Sequence, residues 1–222
     1  RMVAGMFPTR IMLLARCLPC LLALCLPCPQ IALGWTGSST TNTSICNTGT
    51  PQSEPQITAD GTGGMYAAWM DNRTGTSGVD FKIYAQHVDV NGNMLWALNG
   101  VPVCPSDSRQ FHPRIATTSN GDLLVCWAFD TGRLVRAQRL AAADGAPQWG
   151  ATGADLGDWP AGGTDNDIAV AADYHDGLVA TWQFSAPSGP GARVQRVGPS
   201  GSVIWTPAGV PVPNAAGDPT HT

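Results

Sequence analysis

Charged residues are scarce in this chain of 222 residues: they make up 13% of it, and lysine and glutamate occur once each. No cluster of basic residues interleaved with aromatic ones is present, so the sequence lacks the electrostatic footprint of a nucleic-acid-binding protein. Helical periodicity is missing nearly everywhere, and 26 glycines and 18 prolines interrupt the chain. This composition excludes a helical bundle and indicates a β protein rich in turns.

The motifs of common catalytic sites are also missing. The sequence contains no Gly-x-Ser-x-Gly motif, no phosphate-binding loop and no histidine pair in His-x-His or His-x-x-x-His spacing. His112 and His221 fall at equivalent points of the repeat described below, which favours a structural role over metal ligation; the other histidines are His87 and His175. The sequence therefore predicts no catalytic, cofactor-binding or metal-binding residue.

The first 34 residues differ in composition from the rest. Three arginines precede an uncharged run from Cys17 to Cys28, and two small residues, Ala32 and Gly34, follow it. A basic stretch, an apolar stretch and small residues in this order are typical of a secretory signal peptide, so we expect cleavage before Trp35. The apolar run is short and interrupted by prolines, and we expect no stable membrane span after cleavage.

Two Cys-x-x-Cys pairs lie within this leader, Cys17 with Cys20 and Cys25 with Cys28. Only four residues separate the pairs, a loop too short to fold around a zinc ion, so we do not expect a zinc site. A lipoprotein signal at Cys25 is an alternative, although Leu24 is bulkier than such a signal prefers.

Three cysteines remain after the leader: Cys46, Cys104 and Cys126. Cys46 and Cys104 each lie nine residues before a proline that begins a repeat, Pro55 and Pro113. Equivalent points of neighbouring repeats should be further apart than the ~4.4–6.8 Å between Cα atoms that a disulfide allows. We therefore expect no Cys46–Cys104 bridge, and the odd count leaves either a free thiol or a partner in missing sequence.

The stretch from Pro55 to Val103 organises the remaining chain. It contains a turn signal at Asp60–Gly64 (DGTGG), because glycine adopts positive φ without steric cost and aspartate caps turns. The run that follows, Met65–Trp69, has apolar residues on both faces of the strand that it would form. This pattern predicts a strand buried on both faces, entered through a hairpin.

Two further strands are predicted in the same stretch. Phe81–Val88 forms the third strand, with one wetter face because it carries Lys82, Gln86 and His87. Asn91-Gly92 predicts a type I′ hairpin turn, and Met94–Trp96 a fourth strand. Four strands joined by tight turns within about fifty residues are the sequence form of one propeller blade.

Two weaker copies of this stretch follow. A tryptophan closes the second strand of each copy, with spacings of 58 and 55 residues: Trp69, Trp127 and Trp182. We expect these three side chains to be buried at equivalent positions. A glutamine recurs on the third strand (Gln86, Gln138 and Gln195), and a second tryptophan recurs with a glycine four residues on either side (Trp96, Trp149 and Trp205).

The blocks DGTGGMYAAWMDNR (60–73), IYAQHVDVNGNMLW (83–96) and NGVPVC (99–104) resemble the repeats of large, mostly uncharacterised secreted bacterial β-propeller proteins. Their consensus runs DGxGGxxxAWxDxR, IYAQRxDxxGxxxW and GVxVC. The Gly-to-Trp turn is also distantly similar to the Asp-box of sialidase-type propellers, although that box has its glycine three residues before the aromatic. The resemblance covers Trp35 to Val212 and implies an all-β fold, a partial β-propeller of about three four-stranded antiparallel blades.

The repeats divide the chain into six segments. These are 1–34 (signal peptide), 35–54 (tail of an incomplete first blade), 55–104, 105–156 and 157–212 (three blade repeats) and 213–222 (start of a further repeat). Because the second strands are apolar on both faces, each blade needs a neighbour on either side, and closed propellers have about four to eight blades. We therefore expect an open fragment with the outer faces of the end blades uncovered.

Two groups of side-chain oxygens in glycine-bearing loops are candidates for calcium binding outside the cell. They are Asp71, Asn72 and Asp80, and Asp155, Asp158, Asp165, Asn166 and Asp167. Neither group has the twelve-residue pattern of a calcium loop, so we favour solvated turns over calcium and expect no cofactor.

An exported, non-enzymatic domain for recognition, adhesion or scaffolding is the function that these features favour. Without residues 1–34 the chain has nine basic and 16 acidic residues, a formal charge of −7, which repels nucleic acids and anionic lipids. We expect a secreted or cell-surface location, with the periplasm as an alternative, and an extracellular protein or carbohydrate as the partner.

A fragment of a sialidase-like glycoside hydrolase or lyase is the alternative function. The resemblance implies that such an enzyme needs an arginine cluster, an acid and a tyrosine–glutamate pair around one cavity, whereas this chain has three tyrosines and the single Glu54. Apolar stems with solvated heads explain the arginines of the third strands. These are Arg136, Arg139, Arg193 and Arg196.

Overall fold

The computed structural model describes residues 42–75, 80–105, 109–129, 134–158, 167–186 and 189–212, all of which belong to the second of two units, 33–222. The predicted leader, the segments 35–41 and 213–222, and Asp165, Asn166 and His221 lie outside these ranges. In the described part of the chain, no helix has the length and apolar character needed to cross a membrane.

Three four-stranded antiparallel sheets make up the described structure, and each keeps its strands in chain order. Blade 1 consists of β1 (Gln52–Ala59), β2 (Met65–Asp71), β3 (Lys82–Val88) and β4 (Val101–Pro102). Blade 2 consists of β5 (Gln110–Thr117), β6 (Leu123–Phe129), β7 (Leu134–Leu140) and β8 (Ala154–Asp158). Blade 3 consists of β9 (Ile168–Ala172), β10 (Leu178–Ala186), β11 (Gly189–Val197) and β12 (Val210–Val212).

The first strands of the blades lie next to one another, since β1 contacts β5 and β5 contacts β9. Sheets that pack face to face with their first strands innermost are the blades of a propeller. The chain is therefore all-β and forms a partial β-propeller of three blades.

The second strand of blade 2 is buried on both faces. Its residues point alternately toward blade 1, where Val125 and Trp127 pack with Tyr66, and toward blade 3, where Cys126 packs with Trp182. The tryptophans that close the second strands, Trp69, Trp127 and Trp182, are 5%, 0% and 1% exposed. This confirms their predicted burial at equivalent positions.

The predicted fourth strand of blade 1 is misplaced. Met94 forms only an isolated bridge to Val88, and the strand that pairs with β3 is Val101–Pro102. A side chain causes the difference: Gln86 Oε1 accepts a hydrogen bond from the backbone N–H of Trp96 at 3.0 Å, in place of a strand partner.

The turn at Asn91-Gly92 is not type I′, because Gly92 has a φ of 78° whereas Asn91 is not among the residues with positive φ. Gly92 donates its N–H to the carbonyl of Asp89 at 3.0 Å, and the Asp89 carboxylate accepts the N–H groups of Asn91 and Asn93 at 2.8 Å each. The Asp89 side chain thus favours a type I turn closed by a glycine bulge.

The outer faces of the end blades differ from each other. On blade 1, Ile45 and Cys46 pack against Ala67 and Trp69 on the face away from blade 2, so the prediction that this face is uncovered is wrong in part. In blade 3, by contrast, the second tryptophan and its neighbours are exposed: Ile204, Trp205, Val210 and Val212 are 50%, 39%, 39% and 43% accessible.

Candidate functional site at the starts of the inner strands

A bulge interrupts the start of both β1 and β5. The register of β1 with β2 shifts between Ser53 and Gln56, and that of β5 with β6 shifts between Phe111 and Arg114. Each bulge contains a residue in the left-handed region, Glu54 at φ 49° or His112 at φ 55°. Residues other than glycine rarely adopt this conformation, and such bulges redirect side chains out of the strand.

The two redirected side chains meet across the joint between blades 1 and 2. His112 Nδ1 lies 2.9 Å from Oε2 of Glu54, and because an ionised carboxylate can only accept, the Nδ1–H donates the hydrogen bond. The side chains remain 27% and 36% exposed. A ligand can therefore reach both groups from solvent.

An aromatic ring and a cation lie beside this pair. The ring of Phe111 lies 6.0 Å from that of His112, and the guanidinium of Arg109 lies 5.0 Å from the centre of the Phe111 ring. The site thus combines an acceptor, an imidazole, an apolar ring face and a positive charge.

Blade 3 supplies a carboxylate at the same position of the repeat. Asp167 precedes the closing tryptophan by 15 residues, as Glu54 and His112 do in their own copies, and it comes directly before β9. Its Oδ2 accepts a hydrogen bond from Gln183 Nε2 at 3.3 Å. We name the three residues Glu54, His112 and Asp167 the inner-strand set.

The sequence did not single out this set. Glu54 was noted only as the sole glutamate, His112 was assigned a structural role, and Asp167 was placed in an acidic loop. The available signal was positional: all three directly precede the first residues of the aligned repeats, Pro55, Pro113 and Ile168.

The repeated third-strand glutamines are buried, so the predicted wetter face of β3 is wrong for Gln86 and His87, which are 0% and 8% exposed. Gln86 Oε1 accepts from His87 N and Trp96 N at 3.0 Å each, and Nε2 donates to Ala97 O at 2.8 Å. Gln138 and Gln195 make the equivalent bonds in their blades. A glutamine can occupy the core because both its amide oxygen and its amide nitrogen form hydrogen bonds there.

The third-strand arginines are bound by the protein rather than by solvent, contrary to prediction. Arg136 pairs with Asp155 and stacks on the ring of Phe129 at 3.9 Å. Arg193 Nη1 donates to the carbonyl of Ala208 at 2.6 Å. The pairing also occupies Asp155, which the sequence grouped among the calcium candidates.

Asp71, another calcium candidate, is buried rather than solvated. Its Oδ2 accepts hydrogen bonds from Trp69 Nε1 at 3.0 Å and Arg73 Nη2 at 2.6 Å. Burial raises the pKa of the Asp71 carboxyl, but the bonds from Arg73 and Trp69 outweigh this effect and the pKa lies below its usual value. Across the described ranges, no three His, Cys, Asp or Glu side chains are grouped so as to hold a metal ion.

The cysteines that lie in the described ranges, Cys46, Cys104 and Cys126, are free thiols. Cys104 and Cys126 are buried, and burial raises the pKa of Cys126 to about 12. Cys46 lies 3.2 Å from Arg73 Nη2. These thiols belong to the packing of the blades and not to the inner-strand set.

No family model and no curated protein matches this sequence. Among solved structures, the chain is similar to an exo-β-1,3-galactanase from Clostridium thermocellum, with 9% identity and a TM-score of 0.46 over 73% of this chain and 38% of that one. It is also similar to an α-L-arabinanase from Penicillium chrysogenum complexed with arabinobiose, with 15% identity and a TM-score of 0.40 over 76% and 49%.

A GH43 endo-arabinanase from Bacillus licheniformis has 12% identity and a TM-score of 0.38, over 73% of this chain and 59% of that one. The chain thus spans 38% to 59% of the length of these three proteins. The fold assignment rests on the three sheets described above.

Proposed function

We propose that this chain is an exported recognition domain that binds a carbohydrate at the starts of its inner strands. The observation that carries the proposal is the pair of left-handed residues, Glu54 and His112, at equivalent bulges of neighbouring blades. Backbone strain of this kind costs ~1–3 kcal/mol per residue and clusters at ligand sites. It directs two hydrogen-bonding side chains toward each other at an exposed position.

The chemistry of the site fits a polyhydroxylated ligand. Glu54 accepts hydrogen bonds from sugar hydroxyls, and His112, whose Nδ1 bonds to Glu54, offers Nε2 to a hydroxyl. The partly buried ring of Phe111 lies beside them and adds apolar surface. Binding sites of this type combine an apolar wall with a few placed polar groups. The predicted leader fits a location outside the cell, where glycans are abundant.

Binding to an array of immobilised neutral and acidic oligosaccharides tests the proposal. We expect Glu54→Gln and His112→Gln each to weaken binding of the hit by about tenfold or more, because each removes one charge-assisted or directional hydrogen bond. The control is Asp144→Asn, which neutralises an exposed acid at the opposite end of blade 2. Binding that both site variants retain at wild-type strength contradicts the proposal.

Glycoside hydrolysis is the second candidate, and one observation favours it. Glu54 and Asp167 place carboxyl groups at the same repeat position of blades 1 and 3, on either side of His112 in blade 2. Glycosidases use two carboxyl groups about 5–9.5 Å apart. Release of reducing sugar by the wild type that is lost in Asp167→Asn would favour catalysis; binding without release favours recognition alone.

A further inference from the structure

One position of the repeat carries a basic side chain in every blade. His87, Arg139 and Arg196 each follow the buried third-strand glutamine, and each pairs with a carboxylate of its own blade. His87 Nε2 lies 3.0 Å from Asp60, Arg139 Nε lies 2.7 Å from Asp122, and an Arg196 nitrogen lies 2.8 Å from Asp173.

The carboxylate comes from a different place in blade 2. Thr118 occupies the position of Asp60 and Asp173, and Asp122, four residues later, supplies the carboxylate to Arg139 instead. The ion pair is thus retained although its acid has moved along the chain. A contact between a basic side chain and a carboxylate is therefore common to the three blades.

In blades 1 and 2 the same basic side chain also reaches the following blade. His87 Nδ1 lies 3.1 Å from the carbonyl oxygen of Ala142, and Arg139 Nη1 donates to the carbonyls of Asp176 at 3.1 Å and Pro199 at 3.5 Å. The second tryptophans donate to the same carbonyls, Trp96 to Ala142 at 3.0 Å and Trp149 to Pro199 at 2.9 Å. Each joint therefore contains the same two kinds of group, a basic side chain and an indole N–H, at equivalent positions of the repeat.

Both groups that His87 faces can only accept. A carbonyl carries no proton, and the Asp60 carboxyl is ionised because hydrogen bonds from Thr62, His87 and Gly64 outweigh its burial and lower its pKa to about 2. A neutral imidazole donates from one nitrogen only, whereas the imidazolium donates from both. The side chains of His87 and Asp60 are 10% and 2% exposed, so water has little access to the contact.

The other groups around His87 do not change this requirement. The Tyr66 ring packs at 4.2 Å and the Trp96 ring at 5.8 Å, and burial together with the charges of Asp60 and Asp122 raises the pKa of Tyr66, which stays neutral. Asp122 accepts the N–H of Ala142 at 2.9 Å. The charged and titratable groups packed here are thus Asp60, Asp122 with its partner Arg139, and the neutral phenol of Tyr66.

We propose that the joint between blades 1 and 2 is a proton-dependent clasp, closed by the imidazolium of His87, whereas the joint between blades 2 and 3 is closed permanently by Arg139. Histidine is the side chain that changes charge between about pH 5 and 8, and arginine keeps its charge throughout. The imidazolium supplies a donor to each of the two acceptors, whereas the neutral ring leaves one of them without a donor. Blade 1 then loosens from blade 2.

The ring nitrogens of His87 in the ¹⁵N-labelled wild type provide the direct test. At about pH 5.5 we expect both nitrogens to show the chemical shifts of protonated imidazolium nitrogens, with exchange-protected N–H protons on each. A native state with one unprotonated nitrogen at this pH overturns the proposal.

Thermal unfolding of variants tests the consequence. We expect the Tm of the wild type to fall by about 2–4 °C between about pH 5.5 and 8.5, and His87→Arg to remove this dependence by installing the cation of the other joint. His175→Gln, at an exposed turn, is the control that keeps it. A His87→Arg protein with an unchanged pH dependence contradicts the clasp.

Discussion

Among the residues that the structure describes, the Trp127 indole N–H has no hydrogen-bond partner, although the ring is fully buried. Its counterparts are bonded: Trp69 Nε1 donates to Asp71 at 3.0 Å and Trp182 Nε1 to the carbonyl of Asp158 at 3.0 Å. In blade 2 the residue at the position of Asp71 is Phe129, which offers no acceptor. The tryptophan of blade 2 therefore stabilises the fold without the hydrogen bond that its counterparts in blades 1 and 3 form.

Replacement of these tryptophans by phenylalanine tests this difference. We expect Trp127→Phe to lower the free energy of unfolding by less than Trp69→Phe or Trp182→Phe, by about 0.5–1.5 kcal/mol, because only the latter two lose a hydrogen bond. The loss of ring area is common to all three and cancels in the comparison. Equal losses in urea unfolding would show that the indole N–H of Trp127 is satisfied.

At the scale of single elements, the hydrophobic pattern predicted the burial of the second strands correctly but not that of the third strand of blade 1. β2 and β6 are apolar at every position that the neighbouring blades cover, so periodicity alone indicates their burial. Gln86 reads as polar, and only the three-dimensional arrangement shows that backbone groups of the same blade satisfy its amide. These hydrogen bonds keep the backbone of Trp96 from pairing with β3. The fourth strand therefore begins later in the chain than the sequence pattern predicts.

Packing between blades also explains the turn glycines that lie four residues before Trp149 and Trp205. A Cβ on Gly145 would lie 2.9 Å from the Trp96 ring and 2.7 Å from Val101, and a Cβ on Gly201 would lie 2.7 Å from the Trp149 ring. The tryptophan of one blade therefore packs directly on the turn glycine of the next. Sequence repetition revealed this glycine, but its packing partner lies in another repeat and could not be read from the pattern.

A matched pair of substitutions isolates this contact. Gly145 and Gly150 have nearly the same φ, 75° and 74°, but a Cβ on Gly150 would meet nothing within 4 Å. Alanine at either place carries the same left-handed strain, so we expect Gly145→Ala to cost about 1–3 kcal/mol more than Gly150→Ala through overpacking against Trp96. Equal costs, measured by chemical unfolding, would mean that the blades do not pack through this turn.

At the scale of the whole molecule, the repeat predicted three blades with apolar surfaces on either side, and blades 1 and 3 meet this need differently. Ile45 and Cys46 cover part of blade 1, whereas Trp205 and Val212 of blade 3 stay accessible. The candidate site also belongs to this scale, since it exists only where inner strands of different blades meet. Glu54 and His112 are 58 residues apart, and no local pattern joins them.

The central claim is that ligand binding takes place at the starts of the inner strands. Its most direct test is an NMR titration of the ¹⁵N-labelled chain with an oligosaccharide that binds it, with backbone shifts mapped onto the three blades. We expect the largest shifts at Glu54, His112 and Asp167, and their loss in Glu54→Gln. Shifts confined to the opposite ends of the blades, at turns such as 89–93 and 141–145, would contradict the account.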